Sequence, residues 1–244
     1  LYQEKECDGL ISVGGGSAMD TAKGIKALLM TDIVHVRANQ LPPEGKVPHL
    51  AIPGTAGTGA ETTAVAVLYE DGQKLSVDHP ALLPDGVLLD GSLLDTLPEY
   101  HRKSCAMDAL AQGIESWWAK KTTPGSRIHA ERAIRGVLDN LTAYLQGDRK
   151  AQDEMLHAAY ESGVAILTTR TTAAHAMSYQ ITKKLGAAHG HACMLTLPHL
   201  WAHLAAQAEY QPMLTELAHI LGGEKPMDGA ILLKGLLAVL ELEY

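Results

Sequence analysis

The chain has 244 residues, of which 46% are hydrophobic, and it carries a formal net charge of -8 at pH 7. A chain of this length and composition can bury one large core or two modest ones, as globular proteins do. Because the negative charge opposes binding to nucleic acid phosphates and to anionic lipid, we expect a small-molecule partner and neither nucleic acid nor membrane.

The cysteines and the apolar segments bear on the cellular compartment in which the protein is expected. Cys7, Cys105 and Cys193 lie far apart without a Cys-x-x-Cys spacing, so neither a disulfide framework nor a zinc–cysteine knuckle is predicted. The apolar segment 230–240 contains a lysine and is too short to span a bilayer, and residues 1–6 lack the pattern of a signal peptide. We expect a cytoplasmic protein.

The first part of the chain predicts an α/β unit. Short β-rich runs at 10–13, 50–52 and 64–69 alternate with a helical pattern at 17–30, which is typical of parallel strands joined by helices. We therefore predict a Rossmann-like nucleotide-binding domain over 1–97. Since the chain does not begin with Met and opens almost directly on a strand, we expect that earlier strands of this domain are missing.

Further along, the pattern changes to helices. Apolar residues recur at helical spacing over 106–117 and again over 128–145. Small residues within 158–163 predict a helix that packs closely on its neighbours. We therefore predict an all-α domain over 98–244, whose C-terminal end we expect to be missing.

A glycine-rich turn separates the first predicted strand from the first helix. At Gly14, Gly15, Gly16 and Ser17, backbone amides can approach a phosphate closely, and the helix N-terminus favours its charge. The spacing is not the Gly-x-Gly-x-x-Gly fingerprint, so a plain tight turn is the alternative. Asp20, one turn later, either belongs to this site or caps the helix locally.

A second loop, 52–62, combines several glycines with the hydroxyl groups of Thr55 and Thr58. These hydroxyls can bond a phosphate or a ribose. The plainer alternative is a hydroxyl cap for the helix that follows the loop.

Three side chains predict a metal site in the helical part. Asp108, His175 and His189 would supply fixed oxygen and nitrogen ligands and leave a coordination position open for a substrate oxygen. Taken singly, the Asp is more often a helix cap and each His a hydrogen-bonded core residue. An ionised carboxylate beside an apolar helix face, however, must be paired or metal-bound.

Taken together, the segments 13–23, 107–116 and 175–191 resemble the iron-dependent, group III alcohol dehydrogenase family. The resemblance implies the dehydroquinate synthase-like fold, NAD or NADP as cofactor, and one divalent metal, Fe2+ or Zn2+. The family's metal ligands are an Asp, a His four residues later, and two further His fourteen residues apart. The matching positions in this chain are Asp108, Gln112, His175 and His189.

The resemblance also assigns the cofactor site, and Gln112 departs from the family's ligand pattern. The implied cofactor residues are Gly14, Gly15, Gly16, Ser17, Asp20, Thr55, Thr58 and Lys74. For Lys74, a solvated surface position is the alternative. Gln112 replaces an imidazole with a weaker carboxamide ligand, which makes zinc a fair rival to iron.

Two residues are candidates for a catalytic proton relay. Tyr179 stands where the family often has a second histidine close to the substrate and the nicotinamide, so that it takes over the relay or the relay is absent. His191 is an alternative relay, and a plain position at the start of a helix is the competing interpretation.

The segment just before the first metal-site histidine bears on the substrate. Arg170, Thr171 and Thr172 bring a cation and two hydroxyls to this place, a combination suited to a phosphonate, phosphate or carboxylate. This resembles the phosphonoacetaldehyde reductase branch of the family, which makes 2-hydroxyethylphosphonate. The alternative is that Arg170 pairs with a structural acid such as Glu61 or Glu161.

The expected function is the metal-dependent, NAD(P)H-linked reduction of a small, anionic aldehyde by a homodimer or larger homo-oligomer. One rival is a simple alcohol or polyol dehydrogenase of the same family, and another is a metal-dependent cyclase of the dehydroquinate synthase type. A third rival is a non-catalytic nucleotide-binding module whose metal site has decayed at Gln112 and Tyr179.

Overall fold

The structure is a computed structural model that describes residues 2–43, 47–70 and 73–243. Its strands are β1 (Leu10–Gly14), β2 (His49–Pro53), β3 (Val65–Glu70), β4 (Gln73–Asp78) and β5 (Gly86–Val87). Its α-helices are α1 (Gly16–Met30), α2 (Ile33–Arg37), α3 (Glu99–Trp118), α4 (Pro124–Leu145), α5 (Arg149–Thr169), α6 (Ala173–Leu185), α7 (His189–Ala205), α8 (Gln211–Ile220) and α9 (Asp228–Val239). The predicted fold class, an α/β region followed by helices, is confirmed.

The parallel sheet brings the two glycine-rich loops together. Its order is β1-β2-β5, and β1 pairs with β2 from Leu10 opposite His49 to Gly14 opposite Pro53. Both strands end in a glycine-rich loop, and the amide of Gly54 donates to the carbonyl of Gly14 at 2.8 Å. The loops therefore lie side by side at the carboxyl end of the sheet, where open α/β sheets bind ligands.

Helix α1 packs against the antiparallel pair of β3 and β4. A Cβ atom at Gly24 would lie only 3.0 Å from Cδ1 of Leu68 in β3, so this glycine permits the close approach. The buried ammonium of Lys23 donates to the carbonyls of Ala60 (2.7 Å) and Val65 (2.9 Å). These bonds tie α1 to the chain that enters β3.

Helix α3 lies at the centre of the helical part. Its side chains from 106 to 117 are buried, because α4, α5 and α7 surround them. The close packing predicted for 158–163 is confirmed, since a Cβ atom at Gly163 would lie 2.8 Å from Cα of Gly59. In the part of the chain that the structure describes, no helix has the length and apolarity needed to cross a membrane.

Candidate metal centre and cofactor cleft

Asp108 places a carboxylate deep in the helical part of the fold. It lies on α3 and is only 2% exposed. Its Oδ1 atom has no hydrogen-bond partner among the described residues. Burying an ionised carboxylate costs on the order of several kcal/mol unless a positive charge or hydrogen bonds compensate it. The position of Asp108 therefore calls for a cation at Oδ1.

His175 on α6 is aimed at Asp108 by a second buried carboxylate, Glu115. The Nδ1 atom of His175 donates to Glu115, which also accepts from the amide of Ala174 at 2.9 Å. Because an ionised carboxylate only accepts, a neutral His175 carries its proton on Nδ1. Its Nε2 atom then presents a lone pair 3.3 Å from Oδ1 of Asp108.

His189, the first residue of α7, presents a second lone pair to the same place. The hydroxyl of Ser178 donates to the carbonyl of His175 at 2.7 Å and lies 3.1 Å from Nδ1 of His189. A hydroxyl has one proton to donate, so Nδ1 of His189 is the donor in the second contact. Its Nε2 atom is therefore an acceptor, 3.7 Å from Oδ1 of Asp108.

Two imidazole nitrogens and a carboxylate oxygen thus converge as acceptors. Burial lowers the pKa of His175, but the neighbouring Asp108, Cys193 and Glu115 outweigh it and raise that pKa well above the ordinary value. Burial likewise favours neutral Asp108, yet the charges of His189 and His175 lower its pKa. The cluster attracts positive charge strongly, and a divalent cation can take the place of a proton there.

Cys193 is a fourth member of the cluster and was missed by sequence reasoning. Ligand atoms of Asp108, His175, His189 and Cys193 all lie within 4.8 Å of one another. Cys193 follows His189 by one helical turn, so both side chains share one face of α7. That spacing was the available sequence signal. Glu115 was missed as well, because nothing in its local sequence indicates contact with α6.

Gln112, the expected second metal ligand, is engaged elsewhere. Its amide oxygen accepts from the hydroxyl of Ser162 at 2.7 Å, and its amide nitrogen donates to the carbonyl of Thr58 at 3.2 Å. The side chain lines the cleft, one turn after Asp108, as expected. Its polar groups join α5 to the second glycine-rich loop, and its role as a metal ligand stays a prediction.

Two further candidate residues, His191 and Thr172, make contacts outside the cluster. His191, a candidate relay, lies 2.7 Å through Nε2 from the carbonyl of Leu242 and 3.1 Å through Nδ1 from the hydroxyl of Tyr100. These contacts hold the start of α7 to its neighbours, away from the cleft lining. Thr172, a candidate substrate contact, donates to Glu115 and thereby supports the carboxylate that orients the metal-site histidine.

Tyr179, the other relay candidate, lies beside the metal cluster. The centroids of the Tyr179 and His189 rings are 5.8 Å apart. The ammonium of Lys74 lies 3.6 Å from the centroid of the Tyr179 ring, a cation–π contact. The structure therefore brings together a predicted cofactor residue and a predicted relay residue at one wall of the cleft.

One cleft connects the start of α1 with the metal cluster. Its volume is about 1070 Å³, which is large for a small-molecule site and suits an extended cofactor beside a small substrate. Burial raises the pKa of Asp20 at the α1 end. The sequence-predicted residues that line the cleft are Gly16, Ser17, Asp20, Thr58, Lys74, Asp108, Gln112, Arg170, Thr171, His175, Tyr179 and His189.

The first turn of α1 is open to an anion, because no side chain caps it. The glycines before it also serve loop packing. A Cβ atom at Gly15 would lie 3.1 Å from Cγ2 of Thr55, and one at Gly16 would lie 3.1 Å from Cγ2 of Thr58. Among the described residues, Gly14, Gly15 and Thr55 do not line the cleft; they hold the two loops against each other.

Arg170 directly follows the last residue of α5, has a positive φ of 65°, and lines the cleft next to Thr171. Its guanidinium lies 2.5 Å from Oδ2 of Asp78, the last residue of β4. Arg170 thus pairs with an acid, as the alternative interpretation expected, but with neither Glu61 nor Glu161. The ion pair is about two-fifths exposed at both partners, so a solvent-borne ligand can reach it.

Comparisons with known proteins assign the chain to a family. Residues 1–91 match the family model described as iron-containing alcohol dehydrogenase, and residues 103–242 match the Fe-containing alcohol dehydrogenase family, C-terminal. The chain belongs to the iron-containing alcohol dehydrogenase family. The family membership expected from the resemblance is confirmed.

Three relatives illustrate the range of this family. The chain is 36% identical over 208 residues to phosphonoacetaldehyde reductase of Streptomyces viridochromogenes, covering 79% of this chain and 52% of that protein. It is 34% identical over 203 residues to the probable alcohol dehydrogenase EutG of Escherichia coli, covering 80% and 51%. The structure of sulfoacetaldehyde reductase from Bifidobacterium kashiwanohense in complex with NAD+ matches with a TM-score of 0.90 at 28% identity, covering 99% and 66%. The chain thus spans about half the length of these curated relatives.

Proposed function

We propose that this protein catalyses the metal-assisted, NAD(P)H-linked reduction of a small aldehyde to an alcohol. The observation that carries the proposal is the convergence of Asp108, His175 and His189 on one point of a cleft that also contains the open start of α1. Two sites, one for a cation and one for an anion, thus face the same cavity. A reductase of this family needs both.

The three side chains that would hold the cation are Asp108, His175 and His189. A divalent ion in this place would act as a Lewis acid on the carbonyl oxygen of an aldehyde. The protein supplies fixed ligand directions, because Glu115 orients one imidazole and Ser178 the other. Since these supporting groups are built in before the cation binds, little reorganisation is needed.

The α/β side of the cleft would hold the cofactor, which supplies the hydride. The uncapped start of α1 at Gly16 and Ser17 offers backbone amides to the pyrophosphate. Val65 and Val67 of β3 give the cleft an apolar wall on which a nicotinamide ring can lie. The same cleft reaches Asp108, so one molecule bound along it would bring its reactive ring to the metal cluster.

Tyr179 is the proposed proton donor to the product oxygen. Its ring lies beside His189 and is 39% exposed, so its hydroxyl can exchange protons with water. Lys74 over the ring face fixes the ring and places a positive charge next to it.

The cleft favours a small aldehyde with an anionic end, such as phosphonoacetaldehyde, whose product is 2-hydroxyethylphosphonate. Arg170, Lys74 and Lys183 are cations of the lining, and Thr171 adds a hydroxyl beside Arg170. A planar guanidinium binds a phosphonate with two parallel hydrogen bonds. The relative whose name is phosphonoacetaldehyde reductase supports this choice.

A neutral alcohol or aldehyde is the second candidate, and one observation favours it. Asp78 already neutralises Arg170, at 2.5 Å. An anionic substrate must share the guanidinium with this carboxylate or displace it, whereas a neutral one leaves the pair intact. The relative named as a probable alcohol dehydrogenase fits this candidate.

The test is an oxidation assay with NADH and NADPH on protein supplied in turn with Fe2+ and Zn2+. Phosphonoacetaldehyde, lactaldehyde, glycolaldehyde and succinic semialdehyde serve as substrates. Turnover of the two anionic aldehydes above the two neutral ones supports the proposal, and the reverse order supports the second candidate. Cofactor binding with no turnover of any substrate would make the protein a nucleotide-binding module.

A further inference from the structure

The side chain of Cys193 occupies the place that a fourth metal ligand would take. Cys193 lies on α7 one turn after His189, is fully buried, and points its Sγ atom to within 3.9 Å of Nε2 of His189. Neither of the other cysteines belongs to the cluster: Cys7 is exposed, and Cys105 lies on α3 against Gly57.

The distances fit a single coordination sphere. Tetrahedral ligands at about 2.0–2.3 Å from a metal lie about 3.3–3.6 Å from one another. Oδ1 of Asp108 is 3.3 Å from Nε2 of His175 and 3.7 Å from Nε2 of His189. Sγ of Cys193 lies 3.9 Å from Nε2 of His189, which is close to the same range. Small side-chain shifts would bring all four atoms onto one ion.

The cluster also contains polar atoms that the fold leaves unsatisfied. Oδ1 of Asp108 and Nε2 of His175 are buried and have no hydrogen-bond partner among the described residues. Buried polar atoms without partners are rare in folded proteins and indicate a missing ion or water. Both atoms face the point that Sγ of Cys193 also faces.

The remaining ligand expected from the sequence, Gln112, makes other contacts in this arrangement. The carboxamide of Gln112 is held by Ser162 at its oxygen and by Thr58 at its nitrogen. Turning it toward the cluster would break both bonds, whereas Cys193 already faces the cluster and loses no strong hydrogen bond.

We propose that Cys193 is a ligand of the metal centre, which therefore has an Asp–His–His–Cys set and prefers zinc-like ions over iron. This inference rests on the metal site of the proposed function and names its ligand set. On binding, the S–H bond breaks, the thiolate electron pair forms the bond to the metal, and the proton leaves to solvent. A thiolate among N and O ligands favours Zn2+, which such sites also bind more tightly than Fe2+.

A four-ligand set also constrains the substrate step. Catalytic zinc sites usually have three protein ligands and an open position, or expand to five ligands when substrate binds. With Cys193 bound, a substrate oxygen would have to enter as a fifth ligand, and the charge of the thiolate would make the ion a weaker Lewis acid. Replacing the sulfur is therefore expected to change metal preference as well as metal affinity.

The test is Co2+ titration of the metal-free protein, followed by absorption spectroscopy. Cobalt bound to a thiolate gives a near-ultraviolet charge-transfer band in addition to the visible d–d bands that any tetrahedral site gives. We expect the band in the wild-type protein and in a Cys7→Ser/Cys105→Ser double variant, which leaves Cys193 as the single thiol of residues 1–244. Cys193→Ser should retain d–d bands and lose the charge-transfer band.

The outcomes separate this inference from the proposed function. The d–d bands without a charge-transfer band in the double variant would overturn the role of Cys193 and leave the metal site in place. Absence of all cobalt bands would overturn both. If Cys193→Ser fails to fold, the double variant decides by itself: a charge-transfer band there supports Cys193 as the ligand, because the other two cysteines of residues 1–244 are replaced, and d–d bands alone would contradict the inference.

Discussion

The Nδ1 atom of His175 donates to the carboxylate of Glu115, although the two residues lie on different helices, 60 positions apart in the chain. Glu115 also accepts from the hydroxyl of Thr172 and from the amide of Ala174 at the start of α6. One buried carboxylate thus fixes the start of α6 and the direction of the imidazole. The geometry of the candidate metal cluster therefore depends on a residue that lies outside the cluster.

Glu115→Gln is predicted to weaken metal binding. The amide removes the negative charge that stabilises the Nδ1 proton, so Nε2 becomes a poorer and less oriented ligand. We expect the dissociation constant for Zn2+ to rise roughly 10- to 100-fold, measured by competition with a chelator. Glu161→Gln is the matched control, because Glu161 contacts His129 and Arg132 away from the cluster. Equal effects of the two changes would contradict this role.

Gln112→Ala is predicted to leave one metal per chain. Its amide binds Ser162 and Thr58, so the loss should loosen the contact between α5 and the second loop and raise the KM for the cofactor. Elemental analysis and cofactor kinetics on one preparation test this. A variant that loses its metal and keeps its cofactor KM would restore Gln112 as a ligand.

Arg170→Ala is predicted to slow the reduction of charged aldehydes and to leave the reduction of neutral aldehydes almost unchanged. A desolvated, charge-assisted contact contributes on the order of 2–4 kcal/mol, so kcat/KM for phosphonoacetaldehyde should fall roughly 30- to 1000-fold. Lactaldehyde should be affected little. Asp78→Asn, which removes the competing carboxylate, should raise kcat/KM for the anionic aldehyde. Parallel losses for both substrates would mean that the Arg170–Asp78 pair is structural.

Gly163→Ala is predicted to destabilise the protein and to disturb the cofactor loop. The new Cβ atom would lie 2.2 Å from Oγ1 of Thr62 and 2.8 Å from Cα of Gly59. We expect a loss of about 1–3 kcal/mol in the free energy of unfolding, measured with urea. Gly235→Ala in α9 is the control, since its Cβ atom meets nothing within 4 Å and should stabilise the helix by up to about 1 kcal/mol.

His49 is predicted to make the protein sensitive to acid. Burial, together with Lys26 and Lys23, lowers its pKa from 6.5 to about 4. The unfolded chain therefore takes up a proton more readily than the folded one, and stability that is complete above pH 6.5 is lost as the pH falls toward 4. The expected loss is at most about 3 kcal/mol.

The comparison of wild type with His49→Gln isolates this effect. The amide can replace the bond to Ser12, which lies 2.8 Å from Nε2, but it does not titrate. Urea unfolding at a series of pH values should show that the difference in stability between the two proteins shrinks as the pH falls. A constant difference would contradict the assignment.

Residue spacing and motifs were sufficient to predict the fold class and part of the candidate metal cluster. The α/β region, the helices and the cluster members Asp108, His175 and His189 follow from periodicity and from the family resemblance. Glu115 and Cys193 could not be found in this way, because their roles arise only when α3, α6 and α7 pack together. Gln112 lies on the expected face of α3, but its partners on α5 and on the second glycine-rich loop are determined by tertiary packing.

The most direct test of the metal-assisted reductase is to measure metal content and NAD(P)H oxidation on the same preparations of wild type and His189→Ala. His199→Ala, an exposed histidine on the same helix, is the matched control. The proposed mechanism predicts about one divalent metal per chain and turnover in wild type and control, and loss of both in His189→Ala. Full metal occupancy or undiminished turnover in His189→Ala would contradict it.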